Sequence, residues 1–312
     1  MFLQIVLIIF GFILLIGGAN LLIKGYINIA KRFHISEIII GLTIVALGTS
    51  APELLVTITS ANKDVGDLII GNAFGSNLCN LLLILGIMAV LKPIKVDKEA
   101  KLIHIPVLFV VNLIILLLGY TKNIISKTEG IIIVVFFILY FSYPIIKHNA
   151  NNVGAAISRL YQKDNLFVSI LFILLGIVLL KTGGDLVVEN SINIANTFNI
   201  SEKIIGLTII AFGTSLPELV TSIVASIKGD EDLAVGNLVG SCIFNLLLIL
   251  GIGAIINPLK VSNEFIIDIF ILIASTLLIW GYCFIGEKDN ITRRKGLILL
   301  IFFFVYLYKT CV

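Results

Sequence analysis

The chain has 312 residues, 59% of them hydrophobic and only 13% charged, against about 25% charged in an ordinary soluble domain. That excludes a soluble globule, and a net charge of +3 is too small to imply a nucleic-acid partner. Cys79, Cys242, Cys283 and Cys311 lack paired spacing and three lie in apolar runs, so neither a disulfide framework nor a zinc site is indicated.

In chain order, apolar stretches run at 2–30, 35–61, 67–91, 102–120, 126–146, 165–195, 199–227, 232–256, 264–285 and 294–310. Each is long enough to cross a hydrocarbon layer of about 30 Å as a helix. Transmembrane β-strands would instead alternate in polarity over about ten residues, and these runs are continuous. The first run lacks a basic start and a small-residue cleavage site, so it reads as a membrane helix and not as a signal peptide. The expected fold is therefore an all-α polytopic membrane protein of ten transmembrane helices.

Lysine and arginine set the expected orientation. Segments after the odd-numbered spans carry Lys24, Lys31, Arg32, Lys92, Lys95, Lys98, Lys101, Lys147, Arg159, Lys163, Lys228, Lys288, Arg293, Arg294 and Lys295. The other side has Lys63, Lys122, Lys127, Lys203, Lys260 and Lys309, with Lys181 inside a span. The richer side is expected to be cytoplasmic, which places both termini outside a plasma membrane.

The chain repeats itself. GLTIVALGTSAPELLVTI from Gly41 recurs as GLTIIAFGTSLPELVTSI from Gly206. GNAFGSNLCNLLLILG from Gly71 recurs as GNLVGSCIFNLLLILG from Gly236, and ISEIIIG from Ile35 as ISEKIIG from Ile200, always displaced by 165 residues. Two halves of five spans each must enter the membrane in opposite senses, an inverted-topology repeat. The predicted division is a first repeat over 1–146, a cytoplasmic linker over 147–164 and a second repeat over 165–312.

The repeat is strongest at its polar residues. Glu53 and Glu218 stand at matched positions inside apolar spans, where a carboxylate costs about 2.5–3.5 kcal/mol on insertion scales and usually lines an ion or substrate path. Pro52 and Pro217 precede them, with Gly48 and Gly213 five residues before each glutamate. Spans two and seven should break there, exposing carbonyls that membranes tolerate only around a cavity or an ion. Those carbonyls are expected at Ala46 and Ala211. Thr49, Ser50, Thr214 and Ser215 add hydroxyls. Ser76 with Asn80, and Ser241 with Asn245, add pairs at i and i+4 on one helix face. Gly71, Gly75, Gly236 and Gly240 are spaced for close helix approach.

Two carboxylates among hydroxyls, amides and carbonyls make a hard oxygen cage suited to Ca²⁺, and Na⁺ could use the same oxygens. Cys79 and Cys242 read as packing, and His34, His104 and His148 as solvated residues in or near loops. Asp67 and Asp232, which begin spans three and eight, read as helix-terminus carboxylates. Asn72 and Asn237 stay outside the expected ligand set, with interhelical amide bonding as one reading.

GTSAPE at 48–53 and GTSLPE at 213–218, each followed by a GNxxGSxxxN stretch, resemble the two repeats of the cation/calcium exchanger superfamily, in particular its sodium/calcium exchanger branch. The resemblance covers nearly the whole chain. It implies ten helices in two inverted halves, alternating access, and Na⁺ exchanged for Ca²⁺ as transported substrates, with no cofactor and no enzymatic activity. It also implies the ligands Ala46, Thr49, Ser50, Glu53, Ser76 and Asn80 with Ala211, Thr214, Ser215, Glu218, Ser241 and Asn245. Asn245 departs from the aspartate that many members carry, which argues against K⁺ coupling. The 147–164 segment is too short for a calcium-sensing region of the animal kind, and no protein partner is implied. A Ca²⁺/H⁺ antiporter using the same glutamates is the rival reading.

Overall fold

A computed structural model describes residues 2–33, 37–62, 66–150, 166–197, 211–285 and 290–311. The segments 200–206 and 206–210 of the second repeat motif, His34 and most of the 147–164 linker lie outside the described residues.

The apolar runs are helical because a bilayer offers no water to backbone N–H and C=O groups, and a helix satisfies them within itself. The helices are α1 (Phe2–Phe33), α2 (Ile38–Thr49), α3 (Ala51–Asn62), α4 (Gly66–Leu91), α5 (Ala100–Tyr120) and α6 (Lys127–Ala150). They continue with α7 (Leu166–Thr197), α8 (Ala211–Thr214), α9 (Leu216–Lys228), α10 (Glu231–Ile256), α11 (Asn263–Tyr282) and α12 (Arg293–Cys311). Among the described residues six helices are long and apolar enough to cross a membrane, or seven if the bent pair α2–α3 is one span. Phe2, Leu117, Phe136, Phe167 and Phe304 are exposed on the outer faces of their helices, an apolar surface that water would penalise and lipid does not.

Helices α4 and α10 form the buried centre. Helix α2 packs on α10, α12 on the C-terminal part of α4, and α6 on the C-terminal part of α10. Helices α5 and α11 pair with each other, and α1 lies along α7. The α1–α7 seam is antiparallel and glycine-lined: a Cβ on Gly11 would sit 2.8 Å from the Gly183 carbonyl, and one on Gly18 2.8 Å from the Gly176 carbonyl.

Two short strand pairs tie the ends of the bundle together. Strand β1 (Ile94–Lys95) pairs antiparallel with β4 (Asn290–Ile291), and β2 (Ile124–Ile125) with β3 (Leu259–Lys260). A displacement of 165 residues carries Ile94 onto Leu259 and one of 166 carries Ile125 onto Ile291, so the pair Ile94–Ile291 corresponds to the pair Leu259–Ile125. At the β1–β4 end, Lys92 forms a 2.7 Å ion pair with Glu231, and an Arg293 nitrogen donates to the Leu91 carbonyl at 3.4 Å. Connections after spans three, seven and nine therefore share one end of the bundle, and those after spans four and eight share another strand pair.

His104 corrects its sequence reading. It is buried, not solvated, with Nδ1 2.7 Å from the Tyr140 hydroxyl. The helix of span four is already under way at Ala100, ahead of its apolar run, so His104 falls inside the bundle, and a buried ring nitrogen needs a partner. Asp67 and Asp232 lie in the first turns of α4 and α10, where a carboxylate complements the helix dipole.

Candidate cation site

The breaks fall at Ser50 and Ser215, between the glycine and the proline of each motif. Ser50 has φ −86° and ψ 10°, Ser215 φ −88° and ψ 4°, the same sparsely populated bridge conformation. Helices α2 and α3 meet there at 50°. Pro52 and Pro217 have no N–H, so the Gly48 and Gly213 carbonyls lose their i+4 donors. Each glutamate thus lies in the first turn of a new helix, just past the break.

Burial of the predicted set is nearly complete. Thr49, Ser50, Glu53, Ser76, Asn80, Ser215, Glu218, Ser241 and Asn245 are all buried, the two glutamates 1% exposed each, and Thr214 is half-buried. For Ala211 only the helical backbone is described.

The two motifs meet each other. The Ser50 hydroxyl donates to Glu218 Oε1 at 2.8 Å, and Ser241 to the same oxygen at 3.5 Å. Thr214 interacts in turn with the Glu53 carboxylate, and the two carboxylates are close enough to repel each other. Hydroxyls of one half therefore serve the glutamate of the other.

Even so, Glu53 Oε2, Glu218 Oε2, Asn80 Oδ1, Asn245 Oδ1, Ser76 Oγ and Ser215 Oγ have no hydrogen-bond partner among the described residues. Buried oxygens are almost always paired in folded proteins. Six unpaired ones among a predicted ligand set are the donor array a desolvated hard cation requires.

Asn80 and Asn245 lie at the start of stretches of i→i+5 hydrogen bonding, Cys79–Ile84 and Asn245–Ile249. Their carbonyls accept from Leu85 N–H and Leu250 N–H. Such widened turns interrupt α-helices most often at functional positions.

Ala46 differs from expectation. Its carbonyl accepts the Ser50 N–H at 2.9 Å and lies 3.3 Å from the Thr49 hydroxyl, because the chain bends without opening that turn. The unpartnered oxygens belong to side chains.

Amides outside the expected ligand set support the cluster. Asn237 Oδ1 accepts from Thr49 at 3.2 Å while its Nδ2 donates to Ser222 at 3.0 Å, and Asn72 Oδ1 accepts from Thr214 at 3.4 Å. These are the interhelical amide bonds considered for the pair. Asn77 was not anticipated: its Oδ1 accepts from Asn245 Nδ2 at 3.0 Å, and its Nδ2 donates to the Cys242 carbonyl at 3.1 Å. Asn77 and Cys242 are equivalent positions 165 residues apart, so the halves touch each other there.

Glycine spacing is informative on one side. A Cβ on Gly236 would lie 2.7 Å from the Ile38 carbonyl, and one on Gly240 2.5 Å from the Leu42 carbonyl. Gly71 and Gly75 meet no comparable crowding among the described residues; 203–207, their expected counterparts of Ile38–Leu42, are not described.

A family model for the sodium/calcium exchanger protein matches residues 3–146 and 168–312. The chain is 37% identical to a putative antiporter, CaxA, of Alkalimonas amylolytica over 97% of both chains. It is 31% identical to the sodium/calcium exchanger MaX1 of Methanosarcina acetivorans over 96% of both. The solved structure of the sodium-calcium exchanger NCX_Mj, soaked with zero Na⁺ and Ca²⁺, superposes with a TM-score of 0.85 at 28% identity over 99% of both chains. A multi-pass membrane protein with this fold, and with this match on both sides of its centre, belongs to the sodium/calcium exchanger family.

Proposed function

We propose that the chain is a Na⁺/Ca²⁺ antiporter in which Na⁺ moving down its gradient drives Ca²⁺ out through one cluster built on Glu53 and Glu218. The observation that carries this reading is the set of unpartnered buried oxygens around two carboxylates served from both halves. One Ca²⁺ or two Na⁺ would neutralise those carboxylates. An occupied cluster can then be occluded in a low-dielectric interior, whereas an empty one carries two unbalanced charges. That difference favours exchange over leak.

Ten spans in two inverted halves, divided at the 147–164 linker, suit this mechanism, since a pair of inverted repeats has two mirror-related states that open to opposite sides. The family match on both 3–146 and 168–312 supports the division, as do the interchangeable strand pairs and the grouping of odd-numbered connections at one end. By the lysine and arginine bias that end faces the cytoplasm, with both termini outside. An epitope inserted at Asn151 should be inaccessible to antibody on intact cells and accessible after permeabilisation; labelling of intact cells would reverse the topology.

The test of function is calcium uptake into liposomes holding purified protein. An outward Na⁺ gradient should drive it and a pH gradient alone should not; uptake driven equally by protons would replace this reading with the Ca²⁺/H⁺ one, which the family comparison does not favour. Because Asn245 is an amide, the cluster holds two formal negative charges, and flux should be the same with and without K⁺. A K⁺ requirement would contradict the charge count.

A further inference from the structure

Asn72 and Asn237 occupy matched positions 165 residues apart, and the oxygen of each amide is used alike: Asn237 Oδ1 accepts from Thr49, and Asn72 Oδ1 from Thr214. The nitrogens differ. In the second half, Asn237 Nδ2 donates to the Ser222 hydroxyl at 3.0 Å and so ties α10 to α9. The equivalent pair in the first half is Asn72 on α4 and Thr57 on α3. There both Asn72 Nδ2 and Thr57 Oγ1 lack a hydrogen-bond partner among the described residues, although α3 packs on α4. One bond is made and its repeat-related twin is not.

Thr57 forgoes even the easiest bond open to it. A helical hydroxyl commonly bonds the carbonyl four residues back, as those of Thr43 and Thr276 do, but Thr57 does not, and it is fully buried. An unpaired hydroxyl and an unpaired amide nitrogen on neighbouring helices are costly to bury, and the cost is accounted for if the two pair in another state of the molecule. Asn237 is fully buried, whereas Asn72 is half-buried, so the first half is the looser of the two at this point. Each hydroxyl stands four residues beyond its glutamate, and the two therefore lie on opposite sides of the cluster. Ser222 is toward the β1–β4 end, where Glu231 just beyond α9 pairs with Lys92. Thr57 is toward the β2–β3 end, where a Cβ on Gly66 would lie 3.6 Å from Leu259.

We propose that the two amide–hydroxyl pairs are alternating latches of the exchange cycle. Asn237–Ser222 holds α9 on α10 at the β1–β4 end in the state seen here, Asn72–Thr57 holds α3 on α4 at the β2–β3 end in the opposite state, and each opens as the other forms. The inference rests on the alternating-access exchanger reading above. Inverted repeats trade conformations between their two states, so a contact made in one half and open in the other marks the side that is shut. The four are positioning residues: none belongs to the expected ligand set, and they act by holding α3 and α9, the half-helices that carry Glu53 and Glu218.

The test is self-exchange of radiolabelled for unlabelled Ca²⁺, which needs no assumption about the counter-ion, in inside-out and right-side-out membrane vesicles that expose the two faces separately. The half-saturating Ca²⁺ concentration at the cytoplasmic face, divided by that at the outer face, reports the balance of the two states, because apparent affinity scales with the fraction of the competent state. Ser222→Ala removes a bond from the state closed to the cytoplasm and should lower this ratio about 5-fold, the scale of one buried neutral hydrogen bond. Thr57→Val removes the counterpart from the opposite state and should raise the ratio about 5-fold. The double variant should return close to wild type, and Ser222→Thr and Thr57→Ser, which keep the hydroxyls, should hold the wild-type ratio. A packing role alone predicts lower thermal stability without opposed shifts. Shifts in one common direction, signs opposite to those given, an unmoved ratio in either single variant, or equal shifts in the hydroxyl-keeping variants would each overturn the latches. A wild type with no Ca²⁺ exchange would remove the exchanger reading and the latches with it, whereas wild-type exchange with unmoved variants removes the latches alone.

Discussion

Glu53→Gln and Glu218→Gln should each lower Na⁺-driven Ca²⁺ flux by roughly 100-fold or more, on the scale of losing a charge-assisted contact in a buried site, while leaving a folded, membrane-inserted protein. Each side chain is 1% exposed and keeps one carboxylate oxygen without a partner among the described residues. Glutamine has nearly the same shape, so packing around α3 and α9 survives and only charge is removed. The two variants should not be identical in detail. Glu218 Oε1 accepts from Ser50 and lies at the limit of reach of Ser241, so an amide there also places an NH₂ group opposite hydroxyls that were donating to it, or turns it away from them. Parallel thermal melts check that the loss lies in transport. Near-wild-type flux in either variant, with normal folding, would remove that glutamate from the cluster.

An effect of similar size should come from a residue with no chemistry. Gly240→Val places a Cβ 2.5 Å from the Leu42 carbonyl, 2.7 Å from Leu42 Cα and 2.9 Å from Ala46 Cβ. The first two are backbone atoms, so no side chain can rotate aside and α2 must move away from α10. Overpacking of this kind costs typically 1–3 kcal/mol, and here it also acts at a distance. Helix α2 ends in Thr49 and Ser50, the hydroxyls that reach Asn237 and Glu218. The variant should therefore melt at lower temperature and lose most of its exchange even where it remains folded. Unchanged flux would mean that the approach of α2 to α10 does not position the cluster.

How much of this was legible in the sequence follows from what a repeat can reveal. Glu53 and Glu218, with their serines, threonines and prolines, stand out because each recurs at a fixed displacement in an apolar setting. Asn77 recurs as Cys242, so the pattern offers no pair to notice, yet the two meet across the molecule and Asn77 holds the Asn245 amide. Partnership between unlike residues at equivalent positions becomes visible only in three dimensions. The glycine–proline spacing located both breaks, but not the persistence of the Ser50–Ala46 hydrogen bond, which keeps the Ala46 carbonyl paired. A bend of 50° without loss of that turn is a matter of backbone angles, and residue types alone do not fix it. His104 was misplaced for a simpler reason: the helix of span four starts before its apolar run does, so a polar residue at the edge of the run is already inside the bundle. The widened turns at Asn80 and Asn245 leave no mark in composition either, although both occur within the recurring NLLLILG stretch.

The claim on which the account rests is that Ca²⁺ and Na⁺ occupy one cluster in turn. It is tested most directly by measuring Ca²⁺ binding to the purified protein by titration calorimetry at increasing Na⁺, with K⁺ replacing Na⁺ to hold ionic strength constant. The apparent Ca²⁺ affinity should fall as Na⁺ rises, more steeply than in simple proportion because more than one Na⁺ replaces each Ca²⁺, and Glu53→Gln and Glu218→Gln should show no comparable binding. Ca²⁺ affinity that stays constant as Na⁺ replaces K⁺ would contradict the shared site.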